Sequence, residues 1–165
     1  MAKLSATRSV QYPVFAELAF NFNNWVTDSV DLVAKTLGAT VAGSTDPLAA
    51  GLTGPVANTI TFDLIPLPAG AVITGGELIV ETAYLGPTAA TITLGIAGTL
   101  TGLLASTSLL AVARTPLLLT SPLTCNAGQN LRATIAYTVA NATVGKARVR
   151  IQYTLDGKAN EVVVA

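Results

Sequence analysis

The stretch Lys146-Ala147-Arg148-Val149-Arg150-Ile151-Gln152-Tyr153-Thr154-Leu155 decides the fold. Lys146, Arg148, Arg150 and Gln152 alternate one for one with Ala147, Val149, Ile151 and Tyr153. A period of two puts these sets on opposite faces of a β-strand, one for water and one for a core. Asp156-Gly157 follows directly. That dipeptide suits the positive φ angles of a two-residue hairpin turn, so residues 158–164 are expected to fold back.

Working outward, the same alternation recurs. Over residues 131–139, Leu131, Ala133, Ile135, Tyr137 and Val139 oppose Arg132, Thr134, Ala136 and Thr138. Residues 59–64 set Ile60, Phe62 and Leu64 against Thr59, Thr61 and Asp63, and Pro66-Leu67-Pro68-Ala69-Gly70 predicts the turn that halts them. Residues 72–84 read as a long strand bent at Gly75-Gly76, beyond which Leu78, Val80, Thr82 and Tyr84 face away from Glu77, Ile79, Glu81 and Ala83. Residues 14–22 place Val14, Ala16, Leu18, Phe20 and Phe22 on one side. Shorter strands are expected at 90–96, 103–113 and 116–119. Residues 28–37 fit a short helix capped by Asp28 and ended by Gly38, or a strand through Val30, Leu32 and Ala34; the strand is preferred. Residues 39–58 have no sustained period and read as a long contact loop.

Many strands without strand-helix-strand alternation predict an all-β, antiparallel two-sheet sandwich, jelly-roll-like, as a single domain over residues 14–165. Residues 1–13, ending in Tyr12-Pro13, are expected to form an extended N-terminal arm.

The 165 residues are 51% hydrophobic and only 11% charged, so the surface must expose Ala, Thr, Leu and Gly, which favours association. Nine basic side chains balance nine acidic ones. That balance gives no attraction to a phosphate backbone or an anionic membrane, so neither nucleic acid nor membrane is expected as a partner. Residues 85–113 carry no charge, yet Gly86, Pro87, Gly95, Gly98 and Gly102 break the run and hydroxyls stud it, which suits strands better than a membrane helix. Cys125, the one cysteine, reads as a small buried hydrophobe. Nothing at the N-terminus reads as a secretory signal, so synthesis in the cytoplasm is expected.

The residues offer little catalytic chemistry. The absence of histidine excludes Ser-His-Asp and Cys-His systems. Glu77 and Glu81 lie four apart on a strand, about 13 Å, too far for glycosidase carboxylates, and read as solvated face residues. Asp28, Asp31 and Asp46 lack calcium-loop spacing, and Gly95, Gly98 and Gly102 lack the lysine and helix of a phosphate loop and read as turn residues. Asn141-Ala142-Thr143 reads as plain loop despite its glycosylation triplet. Lys146, Arg148 and Arg150 form either a solvated outer face or a contact for a neighbour's acidic residues, the first being preferred. Trp25 and Phe22, beside Asn21, Asn23 and Asn24, could form a sugar-stacking platform, with packing the preferred role. No catalytic, cofactor-binding or metal residue is assigned, and the chain is expected not to be an enzyme.

Four strings resemble small structural proteins of tailed bacteriophages, a group that includes jelly-roll decoration or cement subunits on the outside of capsids. They are Phe20-Asn21-Phe22-Asn23, Phe62-Asp63-Leu64-Ile65-Pro66-Leu67-Pro68-Ala69-Gly70-Ala71, Gly75-Gly76-Glu77-Leu78-Ile79-Val80-Glu81-Thr82-Ala83 and Tyr153-Thr154-Leu155-Asp156-Gly157-Lys158-Ala159-Asn160-Glu161. Residues 85–130 match nothing in that group. The resemblance implies a virion cement subunit, a homotrimer bound to the major capsid protein, with no cofactor. Its alternatives are a tail or head-fibre component and a carbohydrate-binding attachment module.

Overall fold

The computed structural model describes residues 13–30, 32–38, 59–119, 123–125 and 127–155. The expected arm over residues 1–12, the contact loop over 39–58, Asp31, Asp46 and the Asp156-Gly157 turn with its returning tail lie outside the described residues.

Eleven strands form among the described residues: β1 Val14–Asn21, β2 Trp25–Thr27, β3 Ala34–Thr36, β4 Thr59–Leu67, β5 Ala71–Leu85, β6 Ala89–Ile96, β7 Thr99–Ser108, β8 Ala113–Pro116, β9 Thr124–Cys125, β10 Gln129–Thr138 and β11 Val144–Leu155. One sheet runs β1-β11-β5-β8, with β9 also on β5, and the second runs β4-β10-β6-β7. β8 and β9 pair with β5 at Glu77–Val80 and at Ala71–Val72 in the same antiparallel sense, as two pieces of one interrupted edge strand. Apart from the small β2–β3 hairpin and the β6–β7 hairpin, successive spans change sheet, and the last strand lies beside the first. This is the jelly-roll-like antiparallel sandwich expected of the sequence.

The alternation read from the sequence fills the space between the sheets. Ala147, Val149 and Ile151 of β11 and Leu131, Ala133, Ile135 and Tyr137 of β10 are all buried. From β5 come Leu78, Val80 and Tyr84. Thr82, expected to share their face, is exposed instead, because the β5–β11 register shifts on both sides of Lys146 and re-aims the strand. Gly76 adopts φ 147°, the register slips between Gln152 and Tyr153, and a Cβ at Gly76 would lie 2.8 Å from Leu117 Cδ1. A side chain has no room there.

Other expectations are corrected. Among the described residues of 28–37 none is helical and only Ala34–Thr36 is strand, and Leu32 turns the chain at φ 60°. Pro66 and Leu67 continue β4, leaving the turn to Pro68-Ala69-Gly70. Gly98 is a turn residue, but Gly95 and Gly102 lie within β6 and β7, where a Cβ on Gly102 would meet Thr99 and Leu123. The uncharged run 85–113 folds as β6, β7 and their connections, and no helix of the described residues is long and apolar enough to cross a membrane.

Candidate functional site

Three surfaces stand out on this frame. On the outer face of the first sheet, register places Glu17 of β1, Arg150 of β11 and Glu77 of β5 in one cross-strand row. Glu17 accepts from Arg148 at 2.6 Å and from Arg150 at 3.0 Å. Glu81 binds Arg148 at 2.6 Å and Lys146 at 2.7 Å, and Glu77 holds Arg114 of β8 at 2.6 Å. The cationic stripe therefore finds its carboxylates within its own sheet, and Glu77 and Glu81 serve as its counterions. The bond from Arg150 holds Glu17 below the ordinary glutamate range, as Arg114 does for Glu77 and Lys146 for Glu81. Carboxyls held ionised in this way are poor proton donors. Sequence reading missed Glu17 and Arg114, whose membership depends on strand order alone.

The second surface is a cleft of about 400 Å³ between the β2–β3 hairpin and the β4–β10 pair, lined by Trp25, Thr27, Ser29, Leu32, Asp63 and Arg132 among others. Arg132 and Asp63 are register partners. Asp63 accepts from Arg132 Nε and Asn130 Nδ2, both at 2.7 Å, and from Ser29 Oγ at 3.4 Å. Partial burial opposes its charge, but the bonds from Asn130 and Arg132 outweigh it and hold the carboxyl below its ordinary range. Trp25 is 53% exposed. Phe22 instead packs against the core, and the asparagines turn inward on one another: Asn24 Oδ1 accepts from the Asn21 amide, and Asn21 Oδ1 from that of Asn23. Phe22 thus takes the preferred packing role, and of the alternative aromatic platform Trp25 alone lies at the cleft.

The buried Asp28 carboxylate pairs with Lys35 Nζ at 2.7 Å and accepts from the Val30 amide. Among the described residues no group of three or more His, Cys, Asp and Glu is arranged to hold a metal. Asn141-Ala142-Thr143 lies in the β10–β11 loop, with Ala142 bonded to Gly38 and Thr143 to Leu85. Cys125 is fully buried, which pushes its thiol pKa up.

The third surface is the loop end of the sandwich. Bonds from Tyr84 to Leu109, from Thr88 to Thr138 and from Thr143 to Leu85 bring the β5–β6, β7–β8 and β10–β11 connections together. No charged residue occurs in residues 82–113 or 133–145, and Leu85, Leu110, Val112, Val139 and Val144 are exposed there. Val139 sits at φ 75°, 71% exposed. A β-branched residue in that region costs on the order of 1–3 kcal/mol, where Gly or Asn would cost less.

Compared with known proteins, the chain matches no family model and no curated protein in sequence. Among solved structures, 90% of it superposes on 92% of a chain from the acidic stable capsid of Helicobacter pylori bacteriophage KHP30, with a TM-score of 0.55 and 18% identity. Likewise, 93% of it covers 94% of a chain from the cyanophage Pam1 capsid asymmetric unit, again at TM-score 0.55 and 18% identity. The fold is that of chains in two phage capsids. Coverage is high in both directions, so each matched chain is close to this one in length and consists almost wholly of the shared fold. At this identity the likeness is one of fold.

Proposed function

We propose that this chain is a virion structural protein, a decoration or cement subunit that binds the outside of an assembled phage capsid and stabilises it without catalysing a reaction. The observation that carries the reading is the nearly full-length, two-way match to chains of two phage capsid structures. A jelly-roll-like sandwich suits a subunit added to a shell. The resemblance of residues 20–23, 62–71, 75–83 and 153–161 to phage structural proteins points the same way.

In this reading the partner is the major capsid protein, and the uncharged loop end supplies the contact. Burying Leu85, Val112 and Val139 would contribute roughly 25 cal/mol per Å² of apolar area removed from water, with no charge to desolvate. Because the subunit binds the assembled shell and not its dissociated parts, it raises shell stability by mass action. Homotrimeric association, an arm over residues 1–13 that grips a neighbour, synthesis in the host cytoplasm and final residence on the virion complete the proposal. The test is co-sedimentation with undecorated capsids, followed by heating. Binding that raises the shell's disruption temperature is expected, with Val139→Asp and Val112→Asp binding at least about tenfold more weakly, since a charge placed in an apolar contact costs more than 1.4 kcal/mol. Failure to co-sediment with the capsids of its own virus would overturn it.

A further inference from the structure

We propose that the cleft between the β2–β3 hairpin and the β4–β10 pair is a binding site for a neutral saccharide. The aromatic side chains Phe20, Phe62, Tyr84 and Tyr137 are buried in the core, whereas the Trp25 indole stays half in water on the wall of a concave site. An exposed indole offers a flat apolar surface for the C–H face of a sugar ring. Beside it, Asp63 is fixed by three side-chain donors from the hairpin and from β10. Arg132 uses only Nε for that carboxylate, and its two terminal nitrogens make no hydrogen bond to a described residue. Fixed acceptor oxygens and donors without a partner among the described residues thus share the wall with the Ser29 and Thr27 hydroxyls.

Charge selects the ligand class. Asp63 would repel an anion and Arg132 a cation, and the two cancel, so a neutral molecule with both donors and acceptors is favoured. Vicinal hydroxyls have that pattern: each donates to a carboxylate and accepts from a guanidinium. The volume, about 400 Å³, lies within the range of roughly 300–1,000 Å³ typical of small-molecule sites. The assignment does not rest on the capsid role.

Trp25 is the chain's one tryptophan, so emission excited at the red edge, where the four tyrosines do not absorb, reports this cleft. The intact protein is titrated with glucose, galactose, mannose, N-acetylglucosamine and their short oligosaccharides, with choline and sialyllactose as charged comparators, and is applied to a glycan array. A saturable change in emission with at least one neutral saccharide is expected. On the array Trp25→Ala should lose about tenfold or more of that binding, Trp25→Phe should retain part of it, and Asp63→Asn should weaken it. Circular dichroism and capsid co-sedimentation should remain as in the parent protein. No retention of any neutral saccharide, stronger retention of a charged comparator, or undiminished binding by Trp25→Ala would each overturn the assignment, whatever the outcome of the capsid experiment.

Discussion

Lys35→Met tests how the β2–β3 hairpin, and with it the cleft, is held. The Asp28 side chain is 4% exposed and that of Lys35 14%, with the charges 2.7 Å apart. Asp28 also closes a tight loop, donating its amide to Val33 and accepting at its carbonyl from Leu32. Removing the ammonium leaves a buried carboxylate with its neutralising charge gone, which typically costs about 3–5 kcal/mol. For a chain of this length each kcal/mol moves Tm by roughly 2–4 °C, so a drop of about 6 °C or more is expected. Asp28→Asn with Lys35→Met removes both charges, keeps an acceptor for the Val30 amide and should recover more than half of the loss. Thermal unfolding followed by circular dichroism gives the global value. Trp25 emission follows the hairpin itself, since Trp25 and Val26 are the register partners of Thr36 and Lys35. Single variants within about 0.5 kcal/mol of the parent, the level of an ordinary surface change, would refute the reasoning.

Gly145→Ala should be among the most damaging small changes: at φ 153° a Cβ would lie within 2.6 Å of three atoms of the buried Tyr84 ring, for an expected loss of about 2–5 kcal/mol in urea titration. Gly98→Ala, with open space around it at φ 86°, should cost only about 1–2 kcal/mol. Tyr84→Phe and Tyr137→Phe should be neutral or stabilising by up to about 2 kcal/mol, because both hydroxyls are buried without a hydrogen-bond partner among the described residues; a clear loss on either would show that its hydroxyl is satisfied. Glu17, Glu77, Glu81 and Asp63 all have lowered pKa values in the folded protein. Their contribution is therefore fully present above the ordinary glutamate value of 4.5 and is lost as pH falls through the folded values, so Tm should be flat near neutrality and decline below that point. A Tm that rises on acidification would contradict the ion-pair assignments.

The sequence revealed most where one sheet face meets water. In β10 and β11 each buried residue is flanked by polar or small ones, so their period survives into the structure. The expected strands at 103–113 and 116–119 became Thr99–Ser108 and Ala113–Pro116. Leu103-Leu104, Leu109-Leu110 and Leu117-Leu118-Leu119 sit in a run without alternating charge, so only pairing with β6 and β5 fixes the strand ends. β2 and β3 are three residues each, too short for any period, and the ion pair that closes them reads as two unrelated residues in the chain. Trp25 was visible as a candidate, but its cleft partners Asp63 and Arg132 are 69 positions apart and meet through register alone. No local pattern announces such a pair.

The distribution of charge also bears on how the proposed subunit would sit on a shell. Contact through the outer face of the first sheet would take Glu17, Glu77, Glu81, Arg114, Lys146, Arg148 and Arg150 out of water, although their favourable partners are already in place. A neighbour's acidic residues would gain little there, and the charged face discourages stray sheet-to-sheet association. Contact through residues 86–88, 109–112 and 139–143 desolvates no charge at all. The two orientations respond oppositely to salt, since screening weakens charge pairing but leaves apolar burial intact. Capsid co-sedimentation is therefore expected to persist when NaCl is raised from about 0.1 M to about 1 M, where the screening length falls from roughly 10 Å to 3 Å. Release at high salt would move the contact from the loop end to the ion-pair face.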